Sequence, residues 1–400
     1  MSWSASWSRG TTGKVPVLLI ALALLVAACG GATTPSPTSS GASAPAPSVE
    51  PAPSSTTGGS PSPGSGGELD PIVQIAGAAP DPVDGVVEAG KFTKAPPWKI
   101  GMSHFGVNAN TWTVQVVHET EAAVEKNPNI KDFILLDANL DQEKQVADIE
   151  DLIAQKVDIL IVMPLTPTSA DTGIAAAKAA GIPVVLHTGR VETDAWDVQL
   201  QGGAENFGRV MGQFLVEKLG GKGNIWVLRG LQGHPEDINR YNGMLDAFKG
   251  SDIKITSEEY GAWQYDTGKT ICEQLLINDP NPDGIWFSGS DMASACIDVF
   301  KEFGATLPPI TGEGNNGFFK RVVRDNIDTI SAVYSPSQGA AGIRLAVALL
   351  EGKELSRTYR YEPPGDRLEQ IKAQVREDLS DNVWWPSELS EEKLQELYGK

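Results

Sequence analysis

Four hundred residues, 41% of them hydrophobic, are enough for two domains with sizeable cores. A formal charge of −19 and a pI near 4.6 exclude nucleic acid as a partner, because phosphate binding needs a basic surface. The acidity itself names no ligand.

At the N-terminus Arg9 and Lys14 precede an apolar run over residues 15–28, too short to span a bilayer, which reads as an export signal over residues 1–28. The run ends in Leu25-Val26-Ala27-Ala28-Cys29-Gly30, which resembles a bacterial lipobox with Cys29 as the lipidated residue. Residues 29–67 are mostly Pro, Ser, Thr, Gly and Ala and read as a disordered tether. Together these predict an extracytoplasmic protein, lipid-anchored to the cell membrane. Residues 68–96, with Pro80, Pro82, Pro96 and Pro97, read as a loose N-terminal extension.

From there strands and amphipathic helices alternate. A strand over 99–105 runs into a Gly/Asn turn and a helix capped by Asn110 or Thr111, with Trp112 in its first turn. Strands follow over 132–138, 159–163, 184–187 and 198–201, and the run Ile-Leu-Ile-Val-Met at 159–163 reads as a central parallel strand. Helices over 141–156 and 169–180 lie between them. The same grammar restarts after Gly203, with strands over 224–229, 253–260, 284–288, 309–312 and 329–334. Two α/β runs of similar length predict two doubly wound parallel-sheet lobes with a cleft between them. Cys272 and Cys296 fall on helices over 266–277 and 291–303, which leaves open a disulfide or two separate buried thiols.

Open parallel sheets bind ligands beyond the carboxyl ends of their strands. There the first lobe offers Phe105, Asn108, Trp112, His187 and Arg190, and the second Asp237, Arg240, Trp263, Gln264, Ser290, Asp291, Asn315 and Asn316. The alternative is that Trp112 is a core anchor and the asparagines only shape the turn. No Walker loop, His-Glu-x-x-His or Gly-x-Ser-x-Gly occurs, and His104, His118, His187 and His234 lack metal-ligand spacing. No metal site, cofactor or catalytic set is expected. Aromatic faces can stack on a sugar ring while Arg, Asp and Asn grip its hydroxyls.

Over residues 99–351 the chain resembles a type I periplasmic binding protein of the simple-sugar (ribose/galactose-like) group. Of the group's site pattern, the first-strand loop Ala109-Asn110-Thr111-Trp112 keeps the last ring, the third-strand loop has Met163-Pro164 for Asn-Pro, and Thr188-Gly189-Arg190 after the fourth keeps the arginine with a one-residue shift. The chain matches the group in Arg240-Tyr241-Asn242-Gly243 and in the stacking ring Trp263, while Ser290-Asp291 stands for Asn-Asp, Glu313-Gly314-Asn315-Asn316 for Phe-Asp, and Tyr334 near a hinge position where the group often has Gln. The resemblance implies a three-strand hinge, with residues 97–205 plus 335–358 in one lobe and 206–334 plus 359–400 in the other. The crossings are expected at 203–206, 334–336 and 357–361. It further implies a monomer that captures a small sugar or sugar-like ligand for an ABC permease. A membrane sensor's ligand-binding partner, a nucleoside binder and a hydrolase on the same fold are the alternatives. The group's Asn and Asp ligands are only partly kept, which turns the expectation toward a modified sugar, a sugar alcohol or a nucleoside-like molecule.

Overall fold

The computed structural model describes residues 69–400. The expected signal segment, Cys29, the whole expected tether and the first residue of the expected extension lie outside the described residues.

The first sheet contains β1 (Ala78–Val87), β2 (Trp98–His104), β3 (Ile130–Asp137), β4 (Ile159–Met163), β5 (Val184–His187), β6 (Val198–Gln201) and the late-returning β12 (Leu355–Tyr361). Its order is β1-β12-β6-β5-β4-β2-β3, parallel throughout except for the antiparallel β1–β12 pair. The second sheet contains β7 (Lys222–Arg229), β8 (Asp252–Tyr260), β9 (Gly284–Phe287), β10 (Ile310–Glu313), β11 (Thr329–Ala332) and β13 (Gly365–Asp366), in the order β13-β11-β10-β9-β7-β8. The linking helices are α1 (Thr111–Glu125), α2 (Gln142–Ala154), α3 (Asp171–Ala179), α4 (Ala204–Lys218), α5 (Pro235–Phe248), α6 (Tyr265–Asn278), α7 (Ser290–Glu302), α8 (Asn316–Asp325) and α9 (Gln338–Leu350). Two short helices, α10 (Leu368–Gln374) and α11 (Glu391–Tyr398), belong to a C-terminal tail.

Local chemistry sets these elements. Every residue of β4 is buried, as a strand covered by helices on both faces must be. α1 starts where the Asn110 side chain accepts the Thr113 N–H at 2.9 Å and the Thr113 hydroxyl accepts the Asn110 N–H at 3.1 Å, a reciprocal cap. In the second lobe Cys272 and Cys296 are bonded, tying α6 to α7 across a Cα separation of 5.5 Å inside the core around Trp226 and Phe300.

Two boundaries differ from expectation. The segment expected as a loose extension supplies β1, which pairs with β12 from Ala78 opposite Tyr361 to Val87 opposite Leu355. Edge pairing satisfies backbone groups that its Pro-rich sequence gives little sign of using. The third crossing falls after Tyr361, since β12 pairs with β6 as far as Arg360 and with β1 as far as Tyr361. The second-lobe segment expected at 359–400 therefore starts three residues late.

Candidate functional site

Both sheets reverse strand order at their first α/β strand: β2 lies between β3 and β4, and β7 between β8 and β9. A switch point leaves a crevice, because the helices after the two flanking strands go to opposite faces. Residues from both crevices line one cavity between the lobes, the position at which open α/β sheets bind small molecules.

Rings make up most of the wall. Phe105 leaves the end of β2, and its ring meets His234, the cap of α5, edge-on at 4.7 Å across the lobe boundary. His234 meets Trp263 at 5.2 Å, and Trp112 meets Tyr334 at 5.4 Å. Trp263 lies so close over Gly230 and Gly289 that a Cβ there would stand 2.0 and 2.6 Å from the indole, which explains both glycines. Its own backbone is left-handed (φ 56°), as is that of Thr188 (φ 54°) on the opposite wall. Such conformations are costly for a bulky or β-branched residue and persist where the surroundings hold them. Trp263 is held by its indole N–H, 2.9 Å from the Ser288 carbonyl.

The charged groups lie behind and between the rings. Arg240 on α5 is 4% exposed, stacks on Phe207 and Tyr334 at 3.8 and 4.4 Å, and forks onto Glu313 at 3.2 and 3.3 Å. Burial pushes the Glu313 carboxyl up to about 7 against the pull of Arg240. Burial likewise raises Asp291 to about 6, although the Thr111 hydroxyl donates to it at 2.8 Å across the lobes. Glu236 is raised by burial too, with the Tyr334 hydroxyl donating to it. His234 is held down to about 3 by burial and then by Arg240, so its imidazole is neutral. The structure thus brings together Phe105, Trp112, Arg240, Trp263, Ser290, Asp291 and Tyr334 of the expected set.

Four expected ligand residues stand elsewhere. Asn108 is exposed on an outer groove, because the turn after β2, pinned where Asp137 accepts the Val107 N–H at 3.0 Å, carries it past the cavity. Arg190 follows the left-handed turn at Thr188 outward, donates to Gln201 at 3.2 Å and lines a separate polar hollow. Asn315 caps α8 through the Phe318 N–H at 3.1 Å. Asn316 is fully buried where α8 meets the C-terminal tail, donating to the Arg376 and Ser380 carbonyls at 2.8 and 2.9 Å.

Several wall residues escaped the reading of the sequence. Glu236 follows His234-Pro235 at the start of α5, where a helix N-terminus favours a carboxylate. Trp384, in the Trp-Trp-Pro stretch of the tail, also reaches the cavity. Gly312-Glu313-Gly314-Asn315-Asn316-Gly317 also spells a dinucleotide-binding fingerprint between a strand and a helix. Its glycines instead admit Phe318, the Trp385 carbonyl and Asp381, and the Asn316 and Gly317 N–H groups donate to tail carbonyls at 2.7 and 3.0 Å. The two backbone N–H groups that open the helix are thus spent on the tail rather than offered to a pyrophosphate.

The tail is clasped to the first lobe through buried Glu119 on α1, which accepts from the Ser387 hydroxyl at 2.5 Å and the Glu388 N–H at 3.2 Å. Burial raises the Glu119 carboxyl from 4.5 to about 7. A carboxyl raised in the folded state contributes stability below its unfolded pKa and loses it as pH rises through the folded one. Glu119→Gln removes that loss. Between about pH 5 and pH 8 the variant should gain about 2–3 kcal/mol relative to the parent in urea unfolding.

A model of the periplasmic binding protein domain matches residues 104–354, well over half the chain. The chain belongs to that family. This binding protein is 27% identical over 263 residues to the xylitol-binding protein of Mycolicibacterium smegmatis, covering 65% of this chain and 75% of that one. It is 25% identical over 230 residues to the ribose import binding protein of Bacillus subtilis, covering 56% and 73%. Its fold is similar, at TM-score 0.64 and 24% identity over 69% of this chain and 93% of the other, to a Shewanella sp. ANA-3 protein. That protein is the periplasmic binding component of an arabinose ABC transporter, bound to α- and β-L-arabinofuranose. A galactofuranose-binding protein aligns at TM-score 0.64 and 21% identity, covering 70% and 97%. The two-lobed α/β architecture expected from the sequence is that of these relatives.

Proposed function

We propose that this chain is the extracytoplasmic solute-binding component of an ABC importer, capturing a small sugar or sugar-like polyol between its lobes and releasing it unchanged. The observation that carries this is the ring-lined cavity at the paired switch points, walled by both lobes, in a family whose named relatives include xylitol, ribose and arabinofuranose binders. A ligand touching both walls stabilises the closed arrangement in proportion to the contacts that only that arrangement provides. The permease then recognises the closed shape. Cys29 serves as the lipid anchor in this reading, and metabolic labelling with palmitate should mark the parent and leave Cys29→Ser unlabelled.

The binding test is a thermal-shift screen of the full chain against pentoses, hexoses, their amino analogues, their alditols and nucleosides. At least one should raise the melting temperature by mass action, with stabilisation of about 2.7 kcal/mol at a hundredfold excess over Kd. Trp112→Ala and Trp263→Ala should each abolish most of that rise. Silence across the screen, or variants that respond like the parent, would refute the assignment.

A further inference from the structure

The cavity wall uses up nearly all of its own hydrogen-bond donors. The indole N–H of Trp112 goes to the Tyr334 carbonyl at 3.0 Å, and that of Trp384 to the Thr111 hydroxyl at 2.9 Å. The Ser290 hydroxyl donates to the Glu313 carbonyl at 2.7 Å, the Tyr334 hydroxyl is spent on Glu236, and the Arg240 fork is spent on Glu313. The acceptors are not used up. Glu236 is 6% exposed, and among the described residues its Oε1 receives no hydrogen bond. The lining holds three carboxyl groups, Glu236, Asp291 and Glu313, and one cation, Arg240, which Glu313 already engages; Arg190 and Arg321 act on Glu236 and Asp291 only from outside the lining. Two buried donors are left without a partner, Arg240 Nε and the His234 Nε2 that carries the ring proton while Nδ1 accepts from the Glu236 N–H. Around these groups stand the faces and edges of Phe105, Trp112, Trp263, Tyr334 and Trp384.

A neutral polyol, whose hydroxyls both donate and accept, brings no counter-charge to these three carboxyl groups. An ammonium group donates three hydrogen bonds and accepts none, carries the missing charge, and is attracted to the faces of desolvated aromatic rings. We propose that the natural ligand is a sugar- or polyol-sized molecule bearing a protonated amine, with Glu236 as the counter-charge and Arg240 Nε left to meet a ligand oxygen. The inference deepens the solute-binding reading and rests on it. The upward displacement of all three carboxyl groups by burial fits a site that waits for its cation from outside.

Matched pairs that differ only by amine for hydroxyl test this on the full chain by calorimetry at neutral pH. The probes are D-glucosamine against D-glucose, D-galactosamine against D-galactose, and D-glucamine against D-sorbitol. In at least one pair the amine should bind at least about tenfold more tightly, as expected for a charge-assisted bond in a dry site. Glu236→Gln, its fold checked by circular dichroism, should bring that ratio close to one. A ratio that Glu236→Gln leaves intact overturns the role given to that carboxylate. Equal or tighter binding of the neutral members, or any neutral sugar or polyol from the wider screen binding while every amine fails, overturns the inference and leaves the solute-binding reading standing. Silence from all probes of both kinds overturns both.

Discussion

Replacing Arg240 by alanine is expected to lower the unfolding free energy by about 3–5 kcal/mol, even with no ligand present. The guanidinium is 4% exposed and its partner Glu313 3%, so neither charge can turn to water when the other is removed. Breaking a buried pair from one side leaves the survivor's charge uncompensated, a cost far above the 1 kcal/mol or so of a surface pair. Glu236 also draws on Arg240, so the deletion strands a second carboxyl group. The side chain is in addition the filling between Phe207 and Tyr334, and alanine opens that stack. Ligand binding should vanish with it. Arg240→Lys keeps the charge but cannot fork onto both Glu313 oxygens, and should fall between parent and alanine. Arg209, which reaches Asp246 at 3.5 Å on the surface, is the control, with an expected loss under about 1 kcal/mol. Urea unfolding of the three variants measures the series. A loss at Arg240 no larger than at Arg209 would show the pair to be solvated and the cavity open.

What could be read from the sequence follows the reach of each signal. The Asn110 cap, the apolar run of β4 and the α/β alternation are local, and the structure places them within a residue or two. Phe105, Trp112, Arg240 and Trp263 were also legible, because a side chain just past the end of a parallel strand, or on the helix that follows, has few places to go. Asn315 and Asn316 sit in an equally suggestive loop, yet their partners lie on the tail, about sixty residues away in the chain. Nothing in Glu-Gly-Asn-Asn distinguishes an amide that waits for a sugar hydroxyl from one that ties down a distant carbonyl. The same blindness hid Trp384. Its wall position depends on a contact with α1 spanning 269 residues, and Trp-Trp-Pro near a terminus reads as packing on any local rule.

That contact sets the other large expectation, because the tail that carries it lies beyond the stretch matched by the family model. Trp384 is 3% exposed. Its N–H donates to Gln115 Oε1 at 2.8 Å and its carbonyl accepts from Gln115 Nε2 at 3.0 Å, so one α1 amide holds both sides of the residue. On the other side Asn315 bridges to Trp384, and the next residue's N–H meets the Gly314 carbonyl at 2.6 Å, which fastens the tail to the second lobe. The indole then donates to Thr111, whose hydroxyl donates to Asp291, so one hydrogen-bonded line runs from the tail through the first lobe to the second beside the cavity. Trp384→Ala should cost about 3–5 kcal/mol of stability as a buried ring is deleted. It should also weaken ligand binding mainly through faster release, because the wall that the ring completes no longer shuts. Trp384→Phe separates the two effects: it keeps most of the packing, removes the indole N–H, and should cost only about 0.5–1.5 kcal/mol. Urea unfolding reads the first effect, and stopped-flow displacement of a bound sugar reads the second. If Trp384→Ala releases ligand at the parental rate, the tail merely braces the lobes and the cavity closes without it. Faster release from both variants would place the control of dwell time in the Trp384–Thr111–Asp291 line, since phenylalanine preserves the ring and loses only that connection.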